Sequence, residues 1–66
     1  MKCVINGDYF TFNQAVSIQA ILQELELDAD RVIVQHNEKL VKQADFQAVK
    51  INDQDCLELL EFVGGG

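Results

Sequence analysis

Only one stretch of this chain carries a helical period, and it lies between segments that alternate. Ile18, Ile21, Leu22 and Leu25 fall at i, i+3, i+4 and i+7, while Gln19, Gln23, Glu24 and Glu26 take the other side. The spacing predicts one amphipathic helix starting at Ser17, whose hydroxyl can accept from an otherwise unpaired amide of the first turn, although no capping box completes it. The apolar stripe of that helix reads as core. A single helix can bury such a stripe only against a sheet, so the rest of the chain has to supply one.

The flanking segments do so. Met1, Cys3 and Ile5 alternate with Lys2, Val4 and Asn6; Asn6-Gly7-Asp8 supplies turn chemistry, and Tyr9 to Phe12 resumes a strand-like run, which predicts an N-terminal hairpin. Beyond the helix, Leu27 to Arg31 reads as a loop and Val32 to Gln35 as a buried strand. Asn37-Glu38 reads as a tight turn into a shorter strand near Leu40 and Val41. Gln43 to Ala48 has no single period; Phe46 is expected to anchor it to the core, as one helical turn. Asn52 to Asp55 then turns the chain into a last strand, Cys56 to Phe62. The order is ββαββ with a short inserted piece. Such a chain buries its apolar faces as an α+β fold, a mixed sheet of four to five strands with the helix packed across it, which is the β-grasp arrangement. With no internal repeat and no proline, residues 1–63 are expected to form one domain and residues 64–66 a flexible glycine tail.

Composition narrows the function. A chain of 66 residues buries only about 60% of the surface it exposes when unfolded, too little interior for a substrate pocket, a cofactor and a lid, so a carrier or binding module is expected and an enzyme is not. Eleven acidic against five basic side chains give a net charge of -6. That excess opposes nucleic-acid binding, which draws on clustered Lys and Arg. No apolar run approaches the ~20 residues that span a bilayer and no signal peptide is recognisable, so no membrane role and a cytoplasmic location are expected. Cys3 and Cys56 lack CxxC spacing, and His36 is the sole histidine. No metal site is therefore expected, and both thiols read as reduced packing residues. On strands, the two cysteines would point to opposite sheet faces, against a disulfide. His36 reads as a solvated turn residue with no carboxylate paired to it. Asp28 and Asp30 lack the glycine and distal glutamate of a calcium loop.

Taken together, Asn6-Gly7, Ile21-Leu22 with Leu25, Val32 to Val34 before an Asn turn, Asp55 before the last strand and the final Val63-Gly64-Gly65-Gly66 resemble the ThiS family of sulfur carriers of thiamine biosynthesis, relatives of ubiquitin. The resemblance covers essentially the whole chain, and its most specific parts are the length and the glycine ending. Three positions depart from the family's habit: Asn37-Glu38 where Asn-Gly is frequent, Lys42-Gln43 where Pro-Arg is frequent, and Gln54-Asp55 where Gly-Asp is frequent. They bear on turn geometry and on a partner contact near Lys42, and leave the C-terminal chemistry untouched.

The resemblance implies that Gly66 carries that chemistry. An activating partner of the ubiquitin-activating type, using ATP and magnesium, would adenylate the Gly66 carboxylate, and a persulfide donor would displace the adenylate to give a thiocarboxylate that passes sulfur to thiazole synthase. The chain itself would bind no cofactor and contribute no catalytic residue. Gly64 and Gly65, lacking Cβ, suit a narrow channel, and Val63 to Gly66 would reach roughly 13 Å when extended. Along the last strand, alternation separates Leu57 and Leu59 from Leu60 and Phe62. By resemblance Leu57 and Leu59 face inward, leaving Leu60, Phe62 and Val63 as the partner-binding residues; the alternative is that Leu60 or Phe62 packs under the loop around Phe46 or against Tyr9. Two other functions compete: the small-subunit sulfur carrier of molybdopterin synthase, whose chains tend to be longer and to carry proline before the tail, and a β-grasp interaction module whose glycines are never modified.

Overall fold

The computed structural model describes residues 1–63; Gly64, Gly65 and Gly66, the expected tail, lie outside the described residues. The chain opens with β1 (Lys2–Ile5) and β2 (Asp8–Thr11), joined by Asn6 at φ +51 and Gly7 at φ +85. Two successive left-handed residues are what a two-residue type I′ hairpin requires, and Asn-Gly adopts them at least cost. After β3 (Val16–Ser17) comes α1 (Ile18–Glu24), where the Ser17 hydroxyl accepts from the Ala20 amide at 3.0 Å, as the expected N-cap. The segment expected as loop contains a 3₁₀ turn, Ala29–Arg31, because the Asp28 carboxylate accepts from the Asp30 amide and closes it.

The chain continues through β4 (Val32–His36) and β5 (Lys39–Val41), which enclose a second type I′ turn with Asn37 at φ +51 and Glu38 at φ +71. The helical turn expected after it is the 3₁₀ turn Gln43–Asp45, and the adjoining Phe46 is buried in the core. β6 (Lys50–Ile51) and β7 (Cys56–Glu61) complete the fold. Five strands form one mixed sheet in the order β2-β1-β7-β4-β5; β1 and β7 run parallel and every other neighbouring pair antiparallel. This is the β-grasp fold.

Strand ends shift by about a residue from expectation: β1 is shorter at both ends and β2 begins and ends one residue earlier. β4 runs one residue further, through His36, because the Asn37-Glu38 turn needs only two residues. β7 stops at Glu61, one residue earlier. A second small ladder, β3 with β6, pairs Val16 with Ile51 and Ser17 with Lys50; the sequence showed no trace of it, since two-residue strands have no period.

The core lies between α1 and one sheet face. Ile18, Ile21 and Leu22 pack with Cys3, Ile5, Val34 and Leu57, and Ile51 and Phe46 close the side. The parallel β1–β7 ladder has only two registered pairs, Val4 with Cys56 and Ile5 with Leu57. It is lengthened at both ends by other groups. At one end the Asn52–Asp55 turn continues it, with Gln54 N–H donating to Lys2 O at 2.7 Å and Val4 N–H to Asp55 O at 3.0 Å. At the other, the Asn6 side chain takes the place of a missing strand residue: its Oδ1 accepts from Leu59 N–H at 2.7 Å and its Nδ2 donates to Leu59 O at 3.1 Å.

Candidate functional site

The central position of β7 determines what it can present. Its ladders with β1 and β4 fix the strand on both sides, so its alternation is rigid: Leu57 is fully buried and Leu59 is 9% exposed, while Cys56, Glu58 and Leu60 point away from the helix. Leu60 is 64% exposed and Phe62 39%, and neither packs under Phe46 or Tyr9 as part of the core. Val63 stands 89% exposed. The last backbone anchor toward the tail, among the described residues, is Phe62 N–H donating to Arg31 O at 2.9 Å. The chain therefore leaves the fold beside the start of β4, next to the exposed Leu60 and Phe62. Gly64, Gly65 and Gly66, the residues expected to provide access and chemistry, lie outside the described residues.

Register brings further apolar residues to the same face. Ile33 of β4 lies directly across from Leu60 and Leu40 of β5 across from Gln35, while Val4 sits between Cys56 and Tyr9. Opposed residues of neighbouring strands share a face. Ile33, Leu40 and Tyr9 are all exposed, and a shallow hollow of ≈ 540 Å³ opens between Ile33, Gln35, Glu38, Cys56, Glu58 and Leu60. Gln35 and Glu58, paired with each other, lie between the Ile33–Leu60 pair and Leu40, so the face mixes exposed apolar side chains with polar ones. Exposed apolar groups of this kind mark an interaction site more often than a bare monomer surface does. Sequence reasoning did not find Ile33, Leu40 or Tyr9. Val32 to Val34 is an unbroken apolar run, and only the pairing of Val34 with Leu59 shows that Ile33 must face outward.

Two side chains differ from their expected roles. His36 is not a solvated turn residue: it ends β4, and its Nε2–H donates to Asp55 Oδ2 at 2.7 Å. The strand-to-turn geometry that carries residue 36 inward brings it against a carboxylate nineteen positions away, a pairing that local sequence does not reveal. Asp55 is a hub. Besides His36 it accepts from the Asn52 amide at 2.8 Å and from Asn37 Nδ2 at 3.1 Å, and Asn37 Oδ1 accepts in turn from Cys56 N–H at 2.8 Å. Burial pushes the Asp55 carboxyl up, but the bonds from Asn52, His36 and Asn37 outweigh it and hold the group below the usual aspartate range.

Cys56 is exposed on the outer face and is not a packing residue; Cys3 is one, and its burial, with the charge of Asp55 adding to it, raises the thiol pKa. The two do fall on opposite faces, and both are free. Among the described residues no group of three His, Cys, Asp or Glu side chains is placed to hold a metal ion, and no helix is long and apolar enough to cross a membrane.

Comparison with known proteins adds the following. The family model described as the ThiS family matches residues 3–66. A thiazole synthase of Paramagnetospirillum magneticum is 39% identical over 66 residues, which is all of this chain and 20% of that protein; the chain thus spans about one fifth of that relative's length. The sulfur carrier protein ThiS of Bacillus subtilis is 34% identical over 50 residues, 76% of each chain. The crystal structure of the thiamine biosynthesis protein (ThiS) from Geobacter metallireducens superposes with a TM-score of 0.85 at 29% identity, covering the whole of both chains.

Proposed function

Because the chain belongs to the ThiS family, we propose that it is a sulfur carrier for thiazole formation in thiamine biosynthesis, acting as a protein cosubstrate and turning nothing over by itself. The observation that carries this reading is the family match through residue 66, which takes in all three final glycines, on a fold whose exit point is flanked by exposed apolar side chains. Gly66 is the residue proposed to react. A carboxylate is a poor electrophile, so a ubiquitin-activating-type partner, using ATP and magnesium, adenylates it and releases pyrophosphate. A protein persulfide then displaces AMP, forming an acyl disulfide, and a second thiol cleaves the sulfur–sulfur bond to leave the thiocarboxylate. Gly64 and Gly65 let the tail enter a channel closed to side chains.

The proposed docking surface for the activating enzyme is Leu60, Phe62 and Val63, extended by Ile33 and Leu40 across the neighbouring strands. Its position beside the tail supports that role: holding the outer face positions the terminal acid for attack, converting a bimolecular encounter into a local one. Thiazole synthase is the proposed recipient, supported by the relatives of that name that contain a stretch similar to this whole chain. The cytoplasm is the proposed location, in keeping with two free thiols.

Intact mass tests the reading. Incubated with a competent activating enzyme, ATP, magnesium and a persulfide donor, the chain should gain about 16 Da, one oxygen exchanged for sulfur. An unchanged mass, or the same gain in a variant lacking Gly66, would count decisively against it.

A further inference from the structure

The sheet has a second open surface, at the edge formed by β2. Among the described residues β2 pairs with β1 on one side and with nothing on the other. At the end of that ladder Met1 and Phe12 exchange both main-chain bonds, Phe12 N–H to Met1 O and the Met1 amino group to Phe12 O, each at 2.9 Å. Bonded and non-bonded pairs alternate along an antiparallel ladder. The Cys3–Phe10 and Ile5–Asp8 pairs are therefore the bonded ones, and Tyr9 and Thr11 turn their N–H and C=O groups outward from the sheet.

Beside this edge runs a groove of ≈ 470 Å³ between β2 and α1, lined by Phe10, Phe12, Val16, Ile21, Leu25 and Glu24. Alternation puts Asp8 on the same side of β2 as Phe10 and Phe12. The groove thus has an apolar floor with the Glu24 carboxylate in its lining, and Asp8 stands two residues from Phe10 along that side of β2. None of the five basic side chains lines it; Lys2, which pairs with Thr11 across the hairpin, sits over the Tyr9 ring at 4.3 Å on the outer face.

We propose that this edge and groove form a second docking site, which takes an extended segment of a partner protein as an added strand on β2. The segment is apolar at alternate positions and carries lysine or arginine at its ends. The open main-chain groups require an extended backbone, since a helix already satisfies its own. The groove then receives every second side chain, and Asp8 and Glu24 select the basic flanks. A second copy of this chain is the poorer occupant, because pairing β2 with β2 would bring the carboxylates of two molecules of charge -6 together. The site lies two strands away from β7, so a partner held there leaves Leu60 uncovered.

The test is a titration of the isotopically labelled full chain with a short capped peptide of alternating valine and threonine bearing lysine at each end, followed by amide chemical shifts and exchange. Saturable shifts are expected at Tyr9, Phe10, Thr11, Ala20 and Glu24, with slowed exchange at Tyr9 and Thr11 and none of this at Ile33 or Leu60. A peptide ending in glutamate should bind about tenfold more weakly, and Glu24→Lys should weaken the lysine-ended peptide by a similar factor. Thr11→Pro removes an outward N–H while leaving every β1 bond in place and should abolish binding. If it fails to fold, Glu24→Lys and the two peptides decide the matter. Shifts confined to the outer face, equal affinity for both peptides, the absence of any saturable change, or self-association that excludes the peptide would each overturn the proposal.

Discussion

Glu38 at φ +71 and Gln54 at φ +72 hold a backbone conformation that a residue with a Cβ enters only at a cost. At both positions the resemblance implies glycine, and the turns take up left-handed geometry without it. Glu38→Gly and Gln54→Gly should therefore each stabilise the fold, by about 0.5–1 kcal/mol once the extra freedom of glycine in the unfolded chain is deducted, as read from urea unfolding. Asp55 contributes to acid sensitivity at the same scale. Its folded carboxyl titrates below the unfolded value of about 3.9, so its contribution is complete above that value and is lost as the pH falls through the lower folded one. Asp55→Asn should flatten the decline in melting temperature in that acid window relative to the parent; an unchanged acid profile would show that the hub does not control it. His36 enters this network only through a contact nineteen residues distant, which is why reading the residues around it yields a solvated side chain instead.

The elements divide by how locally they are specified. α1, its Ser17 cap and the two hairpin turns follow from patterns within a few residues, and the structure places them within a residue or so of where the chain implies. The short pieces do not. β3 and β6 exist because Val16 and Ile51 lie against each other across the fold, and neither carries a signal on its own. The Gln43–Asp45 turn is an intermediate case, legible through Phe46. That side chain is 2% exposed and its carbonyl accepts from Gln19 N–H at 3.0 Å, so it ties the connection to the start of α1. Phe46→Ala should cost about 3–5 kcal/mol, enough to remove most of the stability of a domain this small, and thermal unfolding measures it. A loss under about 1 kcal/mol would mean that the connection collapses to fill the space.

For the whole molecule, the decisive property is that one sheet face is core and the other is bare. Leucines on β7 therefore differ in kind: Leu57→Arg should prevent folding, whereas Leu60→Arg should leave the melting temperature within a few degrees while weakening capture by the proposed activating enzyme, compared by calorimetry and binding. Alternation along the last strand separated the two sets and the family resemblance said which of them is core, but the extent of the outer face was not legible, because Ile33 and Leu40 join it only through strand pairing. The pairing of β1 with β7 has a consequence for how the molecule is made. β1 has to wait for β7 before the middle of the sheet can close, so a chain interrupted before Cys56 to Glu61 is left as two hairpins with no shared seam. Copies cut short there would lack both a closed sheet and Gly66, the residue proposed to react, and so would not compete for the proposed activating partner.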